Sequence, residues 1–214
     1  GAACGRSRLN RGVQVSEVKA ADVAALRKAT GAGMMDCKQA LTDADGDAER
    51  ATEILRVKMG NKLGKLADRE AAEGTVQSYI HATGTVGVLV EVNCNTDFVA
   101  RNDEFVSFAR EIAMHIAASP TTRFVTDDQV PADEREAEER VFAEQAADKP
   151  ENVRPKVVQG MLDKWLDEVV LLRQKHVNAD RYDGKTIEQL REDLSAKTGE
   201  NIVVSRFERY AVGE

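Results

Sequence analysis

Val86–Phe105 reads VGVLVEVNCNTDFVARNDEF, and the way this stretch divides decides the fold. Val86, Val88, Val90, Val92 and Cys94 alternate with Gly87, Leu89, Glu91 and Asn93, the two-residue period of a strand with one buried face. Asn93, Asn95, Thr96 and Asp97 then gather as turn and capping residues, so the strand ends here and a helix begins, with Phe98 at the corner. Two readings of that corner follow. In one, Thr96 is an N-cap, Asp97 a first-turn charge favoured by the helix dipole, and Phe98 a core residue. In the other, the strand throws an acid and an aromatic into the open, where a partner can meet them. The pattern alone favours the first.

Working outward, Val76, Ser78 and Ile80 alternate with Gln77, Tyr79 and His81, and Ala82-Thr83-Gly84-Thr85 turns back into the central strand, which predicts an antiparallel hairpin. The alternation puts His81 opposite Ile80, on an exposed face. Downstream, Phe105, Phe108, Ala109, Ile112 and Ile116 recur at helical spacing behind a cap at Asn102, a helix that covers one face of the sheet and stops at Pro120. Residues 132–147 and 151–172 read as two helices joined by Asp148-Lys149-Pro150. The second carries an apolar stripe of Val158, Met161, Leu162, Trp165 and Val169, suited to an antiparallel helical hairpin. Pro155 costs a helix hydrogen bond unless it lies in the first turn, so the helix starts there or kinks. A strand-like segment near His176 and Val177, a helix from a Thr186 cap through Lys197, and a last strand, ENIVVSRFERYAV, behind Gly199 complete the core.

Toward the N-terminus, residues 16–59 read as three short helices. The first buries Ala20, Val23 and Leu26 and stops at Gly31; the second carries Met34, Cys37 and Leu41; the third starts behind Gly46-Asp47 and buries Ala51, Ile54 and Leu55. Met34 and Met35 are adjacent, so they cannot both face the interior, and one stays available to a partner. Residues 60–73 are charged and helical in part, a linker. Residues 1–15 carry Arg6, Arg8 and Arg11 without an acid and read as a disordered tail, an expression scar, a mis-assigned start or an organellar targeting remnant. The expected organisation is therefore α+β: tail 1–15, helical domain 16–59, linker 60–73, core 74–131 and 173–214, and helical hairpin 132–172.

Charged residues are 31% of the 214 and aromatics 5%, a balance that suits a helix-rich protein, and the net charge of -7 argues against general affinity for nucleic acid. Cys4, Cys37 and Cys94 give an odd count with no CxxC spacing, which points to a reducing compartment and to neither a disulfide framework nor a metal site. No apolar run approaches membrane-spanning length. Two phosphate-binding look-alikes fail: Gly60–Leu66 is one residue short of a P-loop and ends in Leu66 where a hydroxyl is needed, and Gly31-Ala32-Gly33 lacks the third glycine of a dinucleotide fingerprint. No cofactor is indicated. Nor is a converging nucleophile, base and orienting group legible among His81, His115, His176, the thiols and the scattered carboxylates, so the residues do not read as an enzyme.

Thr96-Asp97-Phe98-Val99-Ala100 behind VEVNCNTD resembles the signature of the translation elongation factor Ts family, and Thr30-Gly31-Ala32-Gly33-Met34-Met35-Asp36-Cys37-Lys38 is similar to the start of the second helix in that family's N-terminal domain. Lys197-Thr198-Gly199-Glu200-Asn201-Ile202 extends the likeness, which covers about residues 18–213. Lys175-His176 departs from the proline that many relatives place before an aromatic. The resemblance implies a ubiquitin-associated-like three-helix bundle and a protruding antiparallel coiled coil. It implies a guanine nucleotide exchange factor for elongation factor Tu, in the GDP-bound and nucleotide-free states, acting without covalent chemistry. The exchange loop would be Thr96, Asp97, Phe98 and Val99, with Phe98 pushed between helices of the partner's nucleotide domain to disturb its Mg²⁺ and phosphate site. Partner contacts would fall on Arg27, Met34, Met35, Lys38, His81 and Gly199, although Gly199 also reads as a helix terminator. The chain would work in the bacterial cytoplasm, or in an organellar matrix, with no direct nucleic acid or membrane contact. Longer relatives hold two core subdomains and this chain one, which leaves apolar sheet edges at Ile202–Val204 and suggests a homodimer. The alternative is a non-catalytic adaptor that docks a peptide on its helical bundle.

Overall fold

The computed structural model describes residues 18–214, so the expected tail and Cys4 lie outside the described residues. Two compact units divide the chain, one ending at Lys62 and the other running from Leu63 to Glu214.

In the first unit, α1 (Ala20–Thr30), α2 (Met34–Asp43) and the part of α3 (Ala48–Ala67) up to Lys62 bury Val23, Leu26, Cys37, Ala40, Leu41, Ala51 and Leu55 in one cluster. Each helix has a local reason to begin or end. Gly31 closes α1 in the left-handed region (φ 69°) and returns its N–H to the Arg27 carbonyl, a conformation that carries no penalty for glycine. Asp47 opens α3 by accepting from the N–H groups of Glu49 (2.9 Å) and Arg50 (3.1 Å). Two expected core residues are outside: Ala20 is exposed, and Met34 is 58% exposed beside Met35 at 75%. The stripe of α2 that packs is Cys37, Ala40 and Leu41; Met34 shares their side by helical spacing, but it is the first residue of the helix and is left exposed. The third helix also runs through Gly60 and Gly64 to Ala67, into the stretch read as a linker.

The second unit is built on the antiparallel sheet β1 (Glu73–Ile80), β2 (Val86–Cys94) and β3 (Val203–Ala211), in the order β1-β2-β3. The predicted alternation of β2 holds: Val88, Val90, Val92 and Cys94 are buried against Phe105, Ala109, Ile112 and Ile116 of α5 (Asp103–Ala118). Full burial of one such side chain stabilises by about 1.5–3 kcal/mol. The faces of β1 are the reverse of the expectation. Val76 (62%) and Ile80 (66%) are exposed, while Tyr79 packs on the core and Gln77 accepts from Arg110 Nε of α5 at 3.0 Å. In β3, Ser205 is an extra residue, since Glu91 pairs with Arg206 and Val92 with Val204. That bulge reverses which parity points inward, so Val204 is buried and Arg206, Glu208 and Tyr210 face out. Ile202 and Val204 thus cover the core and do not line an apolar edge.

Between β2 and α5 lies the single-turn α4 (Asp97–Ala100). Beyond α5, α6 (Ala132–Gln145) and α7 (Arg154–Val169) meet where Phe142 and Trp165 pack on Leu162, Leu166 and Val169. Pro155 falls in the first turn of α7, so the helix starts there and no kink is needed. The segment near His176 and Val177 is not a strand: a lone bridge joins Lys175 to Thr186, and His176 is buried. Thr186 then opens α8 (Ile187–Thr198) with a capping box to Gln189, and Gly199 closes it at φ 74°.

Candidate functional site

At the end of β2 the chain turns into α4 through Thr96, whose hydroxyl accepts from the Val99 N–H as the N-cap. Ala100 is buried and Val99 packs on the core, so the turn is anchored by its later residues. Phe98 points the other way and is 83% exposed. Asp97 is paired with Arg101 one turn later at 3.2 Å. The capping reading of Thr96 and Asp97 is therefore right and the core reading of Phe98 is not.

The base of this turn is held from a distant segment. Glu200 Oε2 accepts from the N–H of Asn95 (3.0 Å) and of Thr96 (3.1 Å), and its Oε1 accepts from the Thr96 hydroxyl at 2.5 Å. Asn95 accepts from the Asn201 N–H at 2.8 Å and donates to the Glu70 carbonyl at 2.6 Å. The Cys94 thiol donates to the Thr96 carbonyl at 3.2 Å, and burial pushes its pKa up to about 11. A thiol held protonated in this way is no nucleophile at neutral pH. Sequence reasoning did not single out Glu200 as part of the corner; more than a hundred residues separate it from Thr96, and no local pattern joins them.

Of the other expected contact residues, Gly199 adjoins this clamp, but its visible work is to end α8. His81 is exposed and its Nδ1 lies 3.2 Å from the Tyr79 hydroxyl. It stands by the Val86 end of β2, whereas Phe98 follows the Cys94 end, about 25 Å away along the strand. In the first unit, Arg27 lies in the last turn of α1, and Met34, Met35 and Lys38 occupy the first turns of α2. All four are exposed, with Met34 and Lys38 one turn apart on the same side.

Two of the histidines among which no converging set is legible in the sequence do meet. His115 and His176 stack with ring centroids 5.5 Å apart, and both are buried. His115 Nε2 lies 2.8 Å from Gln174 Oε1, and its Nδ1 accepts from the Val177 N–H at 3.1 Å. His176 Nδ1 accepts from the Asn178 N–H at 3.1 Å, and the Tyr182 ring sits edge-on at 4.3 Å. Burial is the main cause that holds both imidazoles below their ordinary pKa. An open groove of about 510 Å³ adjoins His115, lined also by Thr121, Glu168, Arg173 and Lys175. Between them, the two rings are tied to Gln174 and to backbone groups of their own unit. Among the described residues no cluster of His, Cys, Asp and Glu could hold a metal ion, and no helix is long and apolar enough to cross a membrane.

A protein-family model described as Elongation factor TS matches residues 14–182. The chain is similar to the Elongation factor Ts of Geobacter metallireducens, 48% identical over 199 residues that cover 92% of this chain and 90% of that one. It is 46% identical to the Elongation factor Ts of Trichodesmium erythraeum over 202 residues, covering 94% and 91% of the two chains. With the Elongation factor Ts of Syntrophus aciditrophicus it shares 46% identity over 200 residues, covering 92% and 97%.

Proposed function

The chain belongs to the elongation factor Ts family, and we propose that it promotes GDP release from elongation factor Tu by pushing the exposed ring of Phe98 into the partner's nucleotide domain. Exchange by such a partner is linkage. A protein that prefers the nucleotide-free GTPase weakens nucleotide binding by the same coupling free energy with which nucleotide weakens the protein. A GTPase holds its nucleotide largely through Mg²⁺ and the backbone amides of its phosphate loop, so displacing the helix beside them is sufficient and no covalent chemistry is required.

The observation that carries this reading is the corner itself. A large aromatic is 83% exposed at the N-terminus of a four-residue helix whose neighbouring residues are tied into the core. A soluble domain gains nothing from exposing that ring, whereas an interface anchor must. Asp97 and Val99 complete the loop, the acid at its rim and the valine at its root. We read Arg27, Met34, Met35 and Lys38 as the contact patch of the first unit, which we take to be ubiquitin-associated-like. His81 is a more distant contact, and Gly199 a residue whose role is to shape its own turn. The pair α6 and α7 is read as a coiled-coil hairpin, the working place as the cytoplasm, and the assembly as two copies of each protein.

Release of fluorescent GDP from Mg²⁺-loaded elongation factor Tu is the test. Phe98→Ala should slow release at saturation at least tenfold, about what an aromatic anchor contributes, while its melting temperature stays near that of the parent. A variant that melts several degrees lower yet exchanges normally would make Phe98 a residue of its own fold and end this reading. If the unsubstituted chain binds the partner without speeding release, it is an adaptor.

A further inference from the structure

A wedge works only if its mounting does not yield when the ring meets resistance. A four-residue helix has no stability of its own to provide that mounting. The stiffness has to come from the groups around Thr96.

Three donors converge on one carboxylate there. The N–H groups of Asn95 and Thr96 reach Glu200 Oε2 at 3.0 and 3.1 Å, and the Thr96 hydroxyl reaches Oε1 at 2.5 Å. Because the hydroxyl proton points at Glu200, its lone pairs are turned toward the Val99 N–H at 3.4 Å, the capping bond of α4. The carboxylate therefore orients the cap, and the cap sets the direction in which the next residues leave the strand. Asn201 backs this up from the following position, with its N–H on Asn95 Oδ1 (2.8 Å) and its side-chain amide on the Arg69 carbonyl (2.9 Å).

We propose that Glu200 is a positioning residue for nucleotide exchange, its carboxylate acting through Thr96 to hold the corner that carries Phe98. This rests on the wedge reading of Phe98. A carboxylate serves best here: an amide in its place keeps one acceptor oxygen for the two N–H groups and turns its NH₂ to the Thr96 hydroxyl, which then accepts instead of donating and is no longer held with its lone pairs toward Val99. Charge-assisted bonds of this kind are also the strong ones, so the tie is stiff as well as specific.

The test uses the full chain with Glu200→Gln, Phe98→Ala and the double variant. Each is titrated against elongation factor Tu loaded with Mg²⁺ and fluorescent GDP to obtain the maximal release rate and the half-saturating concentration. Glu200→Gln should lower the maximal rate about tenfold with a much smaller change in half-saturation, since a loosened mounting weakens the push more than the docking. The double variant should be no slower than Phe98→Ala alone, because a mounting has no effect once the wedge is gone. A parental maximal rate for Glu200→Gln, or a double variant slowed by the full product of the two factors, overturns the role of Glu200. A parental rate for Phe98→Ala overturns the wedge reading instead. Should Glu200→Gln fail to fold by circular dichroism, Thr96→Val decides. It removes the hydroxyl through which the carboxylate acts, and a parental maximal rate for it rejects the proposal.

Discussion

Asp97 shares the exposed corner with Phe98 but is already engaged, its carboxylate 3.2 Å from the Arg101 guanidinium. An exposed pair of this kind contributes about 0–1 kcal/mol, and a rim carboxylate tunes orientation more than it anchors. Asp97→Ala should therefore cost less exchange activity than Phe98→Ala in the same GDP-release assay, and an equal loss would make the acid a second anchor. The strand end and the cap were legible because they depend on residue types at fixed spacing. The exposure of Phe98 was not, since the pattern places it in a first turn without saying which side of that turn the core occupies. His115 and His176 show the converse, two residues far apart in sequence whose stacking no local spacing announces. Burial holds both below their ordinary value of 6.5, and the groups facing them are Gln174, Glu111, Arg181 and Tyr182. The native state thus refuses protons that the unfolded chain accepts below about pH 6.5, so the stability is complete above that pH and lost as pH falls toward the depressed native values. Unfolding free energy should drop between pH 7 and 5.5 by up to about 1.4 kcal/mol per pH unit for each ring, and the melting temperature with it. Replacing both histidines by asparagine should flatten that slope, and an unchanged slope would place the titration elsewhere.

Among the elements, α3 extends into residues 60–73, which read as a charged linker that is helical in part, although Gly60 and Gly64 each cost a helix about 1 kcal/mol relative to alanine. In the structure both stand in open space within a continuous helix that ends at Ala67. The reading of β1 failed for a different reason: its apolar residues Val76 and Ile80 are on the open face, so alternation gave the strand but not the side. The bulge at Ser205 is likewise invisible to a strict two-residue period. Helices α1 and α2 were easier, because Gly31 closes one and the buried Cys37, Ala40 and Leu41 define the other. Arg27 and Lys38 lie outside that core and make no ion pair with a described residue. Reversing both charges, Arg27→Glu with Lys38→Glu, should weaken affinity for elongation factor Tu by about an order of magnitude while leaving the maximal exchange rate of the bound complex nearly intact. Calorimetric titration that gives the parental affinity would remove these two helices from the binding surface.

At the scale of the second unit, its described residues cover the sheet on one face only. The sequence leads one to expect copies of the chain to pair through apolar edges at Ile202–Val204, but Ile202 and Val204 are buried in the core of their own unit. What the fold leaves uncovered is the other face, where Val76, Ile80, Leu89 and Tyr210 are each at least half exposed. The register places Ile80 against Gly87 and Gly87 against Tyr210, so these two side chains flank a residue without one. A Cβ at Gly87 would come within 2.8 Å of Ile80 Cδ1, which shows how closely Ile80 lies over β2. The Glu91–Arg206 ion pair at 2.7 Å borders the same face. An apolar patch rimmed by charge on an uncovered sheet is the form of a self-complementary interface, and two-fold closure is the commonest way to cover it. We therefore expect a homodimer joined face to face through the sheets, with light scattering at micromolar concentration giving twice the chain's 23.4 kDa. Leu89→Glu puts a charge at the centre of that face, on the side away from the core, and should return the monomer without unfolding it. A parental mass of 23.4 kDa would dismiss the dimer, and a Leu89→Glu variant that stays dimeric would move the interface to the free edges of β1 and β3.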